Sequence, residues 1–333
     1  MGRTRLRRSD VRGPGIRRIR RGRGFSYATS GGEPELLDRI KGLVIPPAWR
    51  DVWICPYPNG HVQAVGTDDA GRRQYLYHEQ WRRDRDEEKH DRVLAMARRL
   101  PAWRASVEAD LTGSGLTRKR VLAAALRMLD RGIFRTGGEE YAEENGTHGV
   151  ATLLRSHAAV RGDECRFCYV AKGGLDREVV IRDAALASVV KSLLRSRADS
   201  DRLLVHREGR TWQEVHAADV NERFKELAGD DCTAKDLRTW TATVLAAAAF
   251  AAADLPSSEA ARKRAEAGVM KEVSRALGNT PAVCRSSYVD PRLVEAYRAE
   301  RTIAAAVKRA GRVDGDDARA VLEKACARLL SRA

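Results

Sequence analysis

Five side chains of this sequence, Arg135, Lys172, Arg238, Asn279 and Tyr288, are of the types that can move a phosphodiester onto a phenol. They stand in four distinctive strings, GIFRTGGEEYAEENGTHG, CYVAKGGLD, TAKDLRTW and LGNTPAVCRSSYVDP. A phosphodiester resists attack because its anionic oxygens repel nucleophiles and an alkoxide leaves poorly. Catalysis therefore needs cations on the equatorial oxygens, an acid for the leaving oxygen and an activated nucleophile. Arginine suits the first task, because its planar fork is always charged and spans two phosphate oxygens. A lysine can give a proton to the leaving oxygen, and a tyrosine can attack. Taken singly, each residue has a plainer reading: a solvated arginine, a turn lysine, an asparagine capping a helix, a half-buried tyrosine. Their joint occurrence in order points to covalent phosphoryl transfer.

No metal set or phosphate loop accompanies them. Cys165 and Cys168 make a CxxC, but no second pair sits at zinc spacing, and both fall in a strand-like alternation. His148, His157, His206 and His216 form no ligand pattern. Neither a metal nor a nucleotide cofactor is therefore expected.

These residues need elements to hold them. In TRKRVLAAALRMLDRG the apolar residues recur on one helical face, which brings the chain to Arg135. ECRFCYVA alternates, GGLD turns and EVVI returns, so Lys172 is predicted at the start of a hairpin turn. Helices are predicted over 79–100, 183–196, 214–227, 240–253, 258–276, 292–310 and 316–331. Between Phe25 and Tyr77 short apolar runs are separated by PNG and TDDAG, which predicts a small β-rich module with one helix at 35–41 and with Trp49 and Trp53 in its core.

At 333 residues with 43% apolar content, the chain suits two domains with real cores. The net charge of +15 indicates a polyanionic partner. Ten arginines against Asp10 alone place nine of those charges in residues 1–24, predicted to be a disordered basic tail. The expected division is a tail over 1–24, a β-rich domain over 25–89 and a mainly helical domain over 90–333. Six scattered cysteines and no signal peptide suit a reducing, cytoplasmic location. The longest uncharged stretch, Thr239 to Ala253, is 15 residues, short of the roughly 20 that cross a membrane.

The strings resemble those of the type IB DNA topoisomerases, the poxvirus-like group also found in bacteria, over nearly everything from Phe25 onward. The spacings fit that family: 37 residues from Arg135 to Lys172 and 9 from Asn279 to Tyr288. The resemblance implies an α+β fold, in which a small β-rich N-terminal domain and a larger helical catalytic domain with a small β-hairpin or sheet form a C-shaped clamp on duplex DNA. It implies that Tyr288 attacks the scissile phosphate, forming a 3′-phosphotyrosyl bond, while Lys172 protonates the departing 5′-oxygen with help from Arg135. Arg135 and Arg238 would hold the non-bridging oxygens, and Asn279 would donate to one of them where viral members have histidine. Lys235 looks like the family's supporting basic residue. IPPAWRDVWICP and GHVQAVGTDDAGRRQYLYH match the clamp domain, whose QYxY string nominates Gln74, Tyr75 and Tyr77 as DNA contacts. The expected partner is duplex DNA, met by a monomer without membrane or nucleotide cofactor. Two rivals stand beside this. A tyrosine recombinase shares the chemistry but usually has histidine where this chain has Lys235, and a helical rather than β-rich N-terminal domain. A non-catalytic architectural protein would account for the charge alone. Because Lys172 and Tyr288 lie on such different elements, DNA binding is expected to assemble the site.

Overall fold

The structure, a computed structural model, describes residues 5–28, 34–253, 256, 258–313 and 315–332. The chain divides into two compact units, Met1–His90 and Asp91–Ala333.

The first unit contains β1 (Ile16–Arg21), β2 (Gly24–Ala28), α1 (Pro34–Gly42), β3 (Arg50–Ile54), β4 (Val62–Thr67) and β5 (Arg73–Tyr77). The strands form one antiparallel sheet in the order β2-β1-β3-β4-β5. Alternation along β3 sends Val52 and Ile54 into one small core with Ile16 and Ile40, and Trp53 into another with Val62 and Val65. Trp49 packs partly buried against the first.

The predicted disordered tail needs correcting from Arg5 to Gly24; residues 1–4 lie outside the described residues. Arg7 exchanges main-chain bonds with Asn59 and His61, each 2.9 Å, and β1 pairs with both β2 and β3. Ile16 is buried, and the Arg18 guanidinium stacks on Phe25 and donates to the carbonyls of Pro46 (3.1 Å) and Trp49 (2.6 Å). The composition of IRRIRR suggests solvated chain, yet backbone pairing and carbonyl acceptors for one arginine are enough to order it.

The helix α2 (Glu79–Leu111) carries the chain across the unit boundary and runs on through Pro101, eleven residues past its predicted end. Then come α3 (Arg118–Gly132), α4 (Glu139–Asn145), β6 (Ala158–Arg161), β7 (Glu164–Ala171), β8 (Leu175–Arg182), α5 (Ala184–Leu194), β9 (Val205–Glu208), β10 (Thr211–Glu214) and α6 (Ala217–Ala228). The last third holds α7 (Ala234–Ala252), α8 (Glu259–Leu277), α9 (Pro281–Val283), α10 (Pro291–Arg298), α11 (Ala304–Ala310) and α12 (Gly315–Leu330). The single helix predicted over 292–310 is two, because Glu300 takes a left-handed φ of 60° and turns the chain out of α10. The unit is therefore mainly helical with two small antiparallel sheets, β6-β7-β8 and β9-β10.

Its core surrounds α3 and α7. Val121, Leu122, Leu126 and Met128 of α3 are buried with Leu237, Trp240, Ala242 and Ala246 of α7. The small side chains of α7 let α8, α11 and α12 pack on it. Cys165 is buried and Cys168 exposed, as alternation on β7 requires. Among the described residues no helix is long and apolar enough to cross a membrane.

Candidate active site

Arg135 is presented by a sharp exit from α3. Gly132 leaves no room for a Cβ, which would stand 2.2 Å from the Phe134 ring, and Ile133 adopts a left-handed φ of 53°. Such a conformation costs about 1–3 kcal/mol and persists where the surroundings enforce it. The anchor is Phe134, which meets Phe167 edge to face at 5.5 Å and stacks on Tyr169 at 5.4 Å. The next stretch is zipped to the segment just after GTHG: Val150 N–H donates to the Arg135 carbonyl (2.9 Å) and Ala151 N–H to that of Thr136 (2.8 Å). A Cβ on Gly149 would lie 2.6 Å from the Arg135 carbonyl oxygen, so the two segments touch only because that position is glycine.

Arg238 enters from the first turns of α7. Asp236 caps that helix by accepting from Thr233 N–H (2.9 Å) and is itself paired with Arg92 (3.1 Å), which places the KDLR string firmly. Arg238 is only 5% exposed. Its two terminal nitrogens donate to the carbonyls of Ile133 and Leu277, and its Nε has no partner. Burial, followed by the charge of Arg135, lowers its pKa to about 10. The guanidinium lies 5.5 Å from the centre of the Tyr288 ring.

Asn279 follows the left-handed Gly278 that ends α8, and its N–H closes back on the Ser274 carbonyl at 2.9 Å. Its side-chain oxygen accepts from Arg135 Nη2 at 2.5 Å, and the same Nη2 reaches the Gly278 carbonyl at 3.2 Å. The Asn279 Nδ2 is buried without a partner. Arg135 therefore fixes the amide so that its donor remains for something else.

Tyr288 ends a π turn, Cys284–Tyr288, that follows α9. Such turns are rare and concentrate at functional sites. Cys284 is fully buried, and Thr243 Oγ1 donates to the Tyr288 carbonyl (3.2 Å). The tyrosine itself is half-buried, its ring against Arg238.

Arg135, Arg238, Asn279 and Tyr288 are thus brought together. Lys172 stands apart in kind, exposed at the tip of the β7–β8 hairpin, where Gly173 (φ 88°) and Gly174 (φ 71°) make the turn. Lys235 is exposed on the first turn of α7, one helical turn from Arg238. In the first unit, Tyr75 and Tyr77 of β5 are each 39% exposed and stack at 6.0 Å on one face of the sheet, with Arg73 beside Tyr75. Gln74 lies on the opposite face, where its Nε2 donates to Asp68 (2.9 Å), so the structure does not group the three.

Arg177 was not legible from any motif. It sits opposite Tyr169 in the β7–β8 register and donates to the Ala276 carbonyl at 3.1 Å, tying the hairpin to the end of α8 beside Asn279. Its only signal is a position five residues beyond Lys172 on a returning strand. Burial raises the Tyr169 pKa, against the combined pull of Arg177, Arg238 and Arg135. Among the described residues no carboxylate pairs with any of these three arginines. Nor does any group of three or more His, Cys, Asp or Glu form a metal-binding cluster there; His148 and His157 meet edge to face at 4.6 Å. The arrangement is a cationic pocket with one neutral donor beside a phenol, suited to an anion with several oxygens.

Comparison with known proteins agrees. The family model described as the catalytic core of eukaryotic DNA topoisomerase I matches residues 78–311, and that of the bacterial DNA topoisomerase IB N-terminal domain matches 24–68. DNA topoisomerase 1B of Acanthamoeba polyphaga mimivirus is 28% identical over 296 residues, 85% of this chain and 88% of the viral protein. DNA topoisomerase 1B of vaccinia virus (strain Copenhagen) is 26% identical over 239 residues, 69% of this chain and 71% of its own length. With residues 78–311 matched by the one model and 24–68 by the other, the chain belongs to the type IB DNA topoisomerases.

Proposed function

We propose that this protein relaxes supercoiled duplex DNA by cutting one strand, letting it swivel and resealing it, with Tyr288 as nucleophile. The observation that carries the site assignment is the buried Arg238 guanidinium, held by main-chain carbonyls against the Tyr288 ring with, among the described residues, no carboxylate to neutralise it. Tyr288 Oη gives up its proton to water and attacks phosphorus as the bond to the 5′-oxygen breaks, leaving a 3′-phosphotyrosyl link and a free 5′-hydroxyl. Lys172, carried on the hairpin tip, supplies the proton to the leaving oxygen and takes it back on resealing. Arg135 and Arg238 draw charge from the non-bridging oxygens, and the unpartnered Asn279 Nδ2 donates to one of them. Lys235 and Arg177 add positive potential around the phosphate. One phosphodiester is exchanged for another, so resealing needs no nucleotide, and the arginines take the part a metal would otherwise play.

In this reading the two units of one monomer grip the duplex from opposite sides, acting on DNA of the nucleoid in the cytoplasm. Tyr75 and Tyr77 present the contact face of the first unit, while Gln74 serves by ordering the Asp68 turn. The test is relaxation of a supercoiled plasmid without any recombination site, in EDTA and without ATP. Relaxation with an SDS-trapped protein adduct at the 3′ side of the nick is expected, and Tyr288→Phe should abolish both. Wild-type relaxation by Tyr288→Phe, or loss of activity on chelation, would overturn the assignment.

A further inference from the structure

The π turn that carries Tyr288 has a charged anchor that none of the roles above explains. Glu266, on α8, is 1% exposed, among the most deeply buried carboxylates of the described residues. It binds two arginines from two different segments. Arg285, the second residue of the π turn and three before Tyr288, donates to Oε2 at 3.0 Å. Arg298, at the end of α10, donates to Oε1 at 2.7 Å and to Oε2 at 3.0 Å. Burial alone would raise the carboxyl pKa, but the two guanidiniums outweigh it and hold the group below its ordinary value.

A five-residue π turn offers fewer and poorer internal hydrogen bonds than an α-helix, so its shape must be imposed from outside. After Tyr288 the constraint is Thr243, which donates to the Tyr288 carbonyl and accepts from Asp290 N–H (3.3 Å). Before it, Cys284 is packed in the core and Arg285 ties the turn to Glu266. We propose that Glu266 is a positioning residue for the nucleophile, acting through Arg285 to set the turn that aims the Tyr288 phenol. The inference rests on Tyr288 being the nucleophile. The two arginines divide the work: the Arg285 arm aims the turn, and the Arg298 arm fastens α10.

Geometry makes this testable, because Glu266 keeps one cation when either arginine is removed and neither variant leaves it unpaired. The experiment is single-turnover cleavage of a suicide duplex at saturating enzyme, with noncovalent duplex affinity measured in the Tyr288→Phe background and Tm recorded for every variant. Wild type forming the adduct while Tyr288→Phe does not establishes the underlying reading; absence of that difference sinks that reading instead. Arg285→Ala is expected to slow cleavage about tenfold to a hundredfold, the scale of a misplaced reacting group, with duplex affinity unchanged. Glu266→Gln should give a similar loss, and the double variant should lose no more than the worse single one. Arg298→Ala should lower Tm while cleavage by the folded protein stays within about twofold of wild type. Wild-type cleavage by Arg285→Ala would overturn the proposal. So would additive losses in the double variant, or a fall in duplex affinity that accounts for the slower cleavage, since Arg285 would then be a direct phosphate contact.

Discussion

Two arginine-rich sites in the second unit answer the problem of drawing guanidiniums out of water in opposite ways. Around Asp130, 4% exposed, Arg104 and Arg319 donate to the carboxylate at 2.6–3.1 Å, and Glu323 accepts from both. Two cations meet two anions and the charge closes. Around Tyr288, Arg135, Arg177 and Arg238 donate to main-chain carbonyls and one amide, and among the described residues no carboxylate joins them. Carbonyl dipoles satisfy N–H geometry but leave the net charge in place. The first site is closed as folded. The second keeps an open positive charge, the condition that favours an anion with several oxygens.

The comparison is broken most directly at Arg238. Arg238→Ala should slow cleavage about a thousandfold, roughly 4 kcal/mol of transition-state stabilisation. Arg238→Lys should recover little of it, since a point charge cannot hold two carbonyls and a phosphate together. A near-normal single-turnover rate in either variant would mean the open charge serves folding alone.

Next in size is Asp130→Asn, which strands two guanidiniums on one remaining carboxylate. It should cost about 3 kcal/mol in denaturant unfolding while the folded protein cleaves at the wild-type rate. The pH dependence carries the same sign. Burial pushes the Asp130 carboxyl up, but Arg319 and Arg104 hold it below the ordinary range. Its stabilisation is therefore full above the unfolded value of about 4 and is lost as pH falls through the lower folded value. Asp130→Asn should flatten that acid limb. A catalytic defect in the folded Asn variant would show the two sites to be coupled.

The smallest effect is expected at Asn279, where Ala removes one hydrogen bond to a charged oxygen. Cleavage should slow roughly tenfold, the value of one such bond. Asn279→Asp sharpens the contrast, because it puts a carboxylate on Arg135 and makes the active site resemble the closed network. It should be slower than Ala, and if it were faster the absence of carboxylates would be incidental.

The candidate site was more legible in the sequence than the frame around it. Arg135, Lys172, Arg238 and Asn279 sit beside glycines or caps whose local geometry is written in a few adjacent letters, so the strings carry both identity and placement. Arg177 and Glu266 depend on partners 99 and 19 or more residues away, and nothing in DREVV or KRAEAG distinguishes them from solvated charges. The N-terminal arginines misled for a related reason. IRRIRR has the composition of an unfolded polycation, and only pairing with β3 reveals it as an internal strand of the sheet. The break at Glu300 lay in a backbone angle that helical periodicity does not encode.

The glycine contact behind Arg135 has a consequence for how this protein can vary. A side chain at position 149 would meet the Arg135 carbonyl at 2.6 Å and the Gly137 amide nitrogen at 2.5 Å. The smallest change there, a single methyl, would have to displace the segment that carries the Arg135 guanidinium. Gly149 has no side chain with which to take part in the reaction, yet in a library of single variants selected for relaxation it should tolerate replacement as poorly as Tyr288. Intolerance there would map the backbone's route rather than the chemistry.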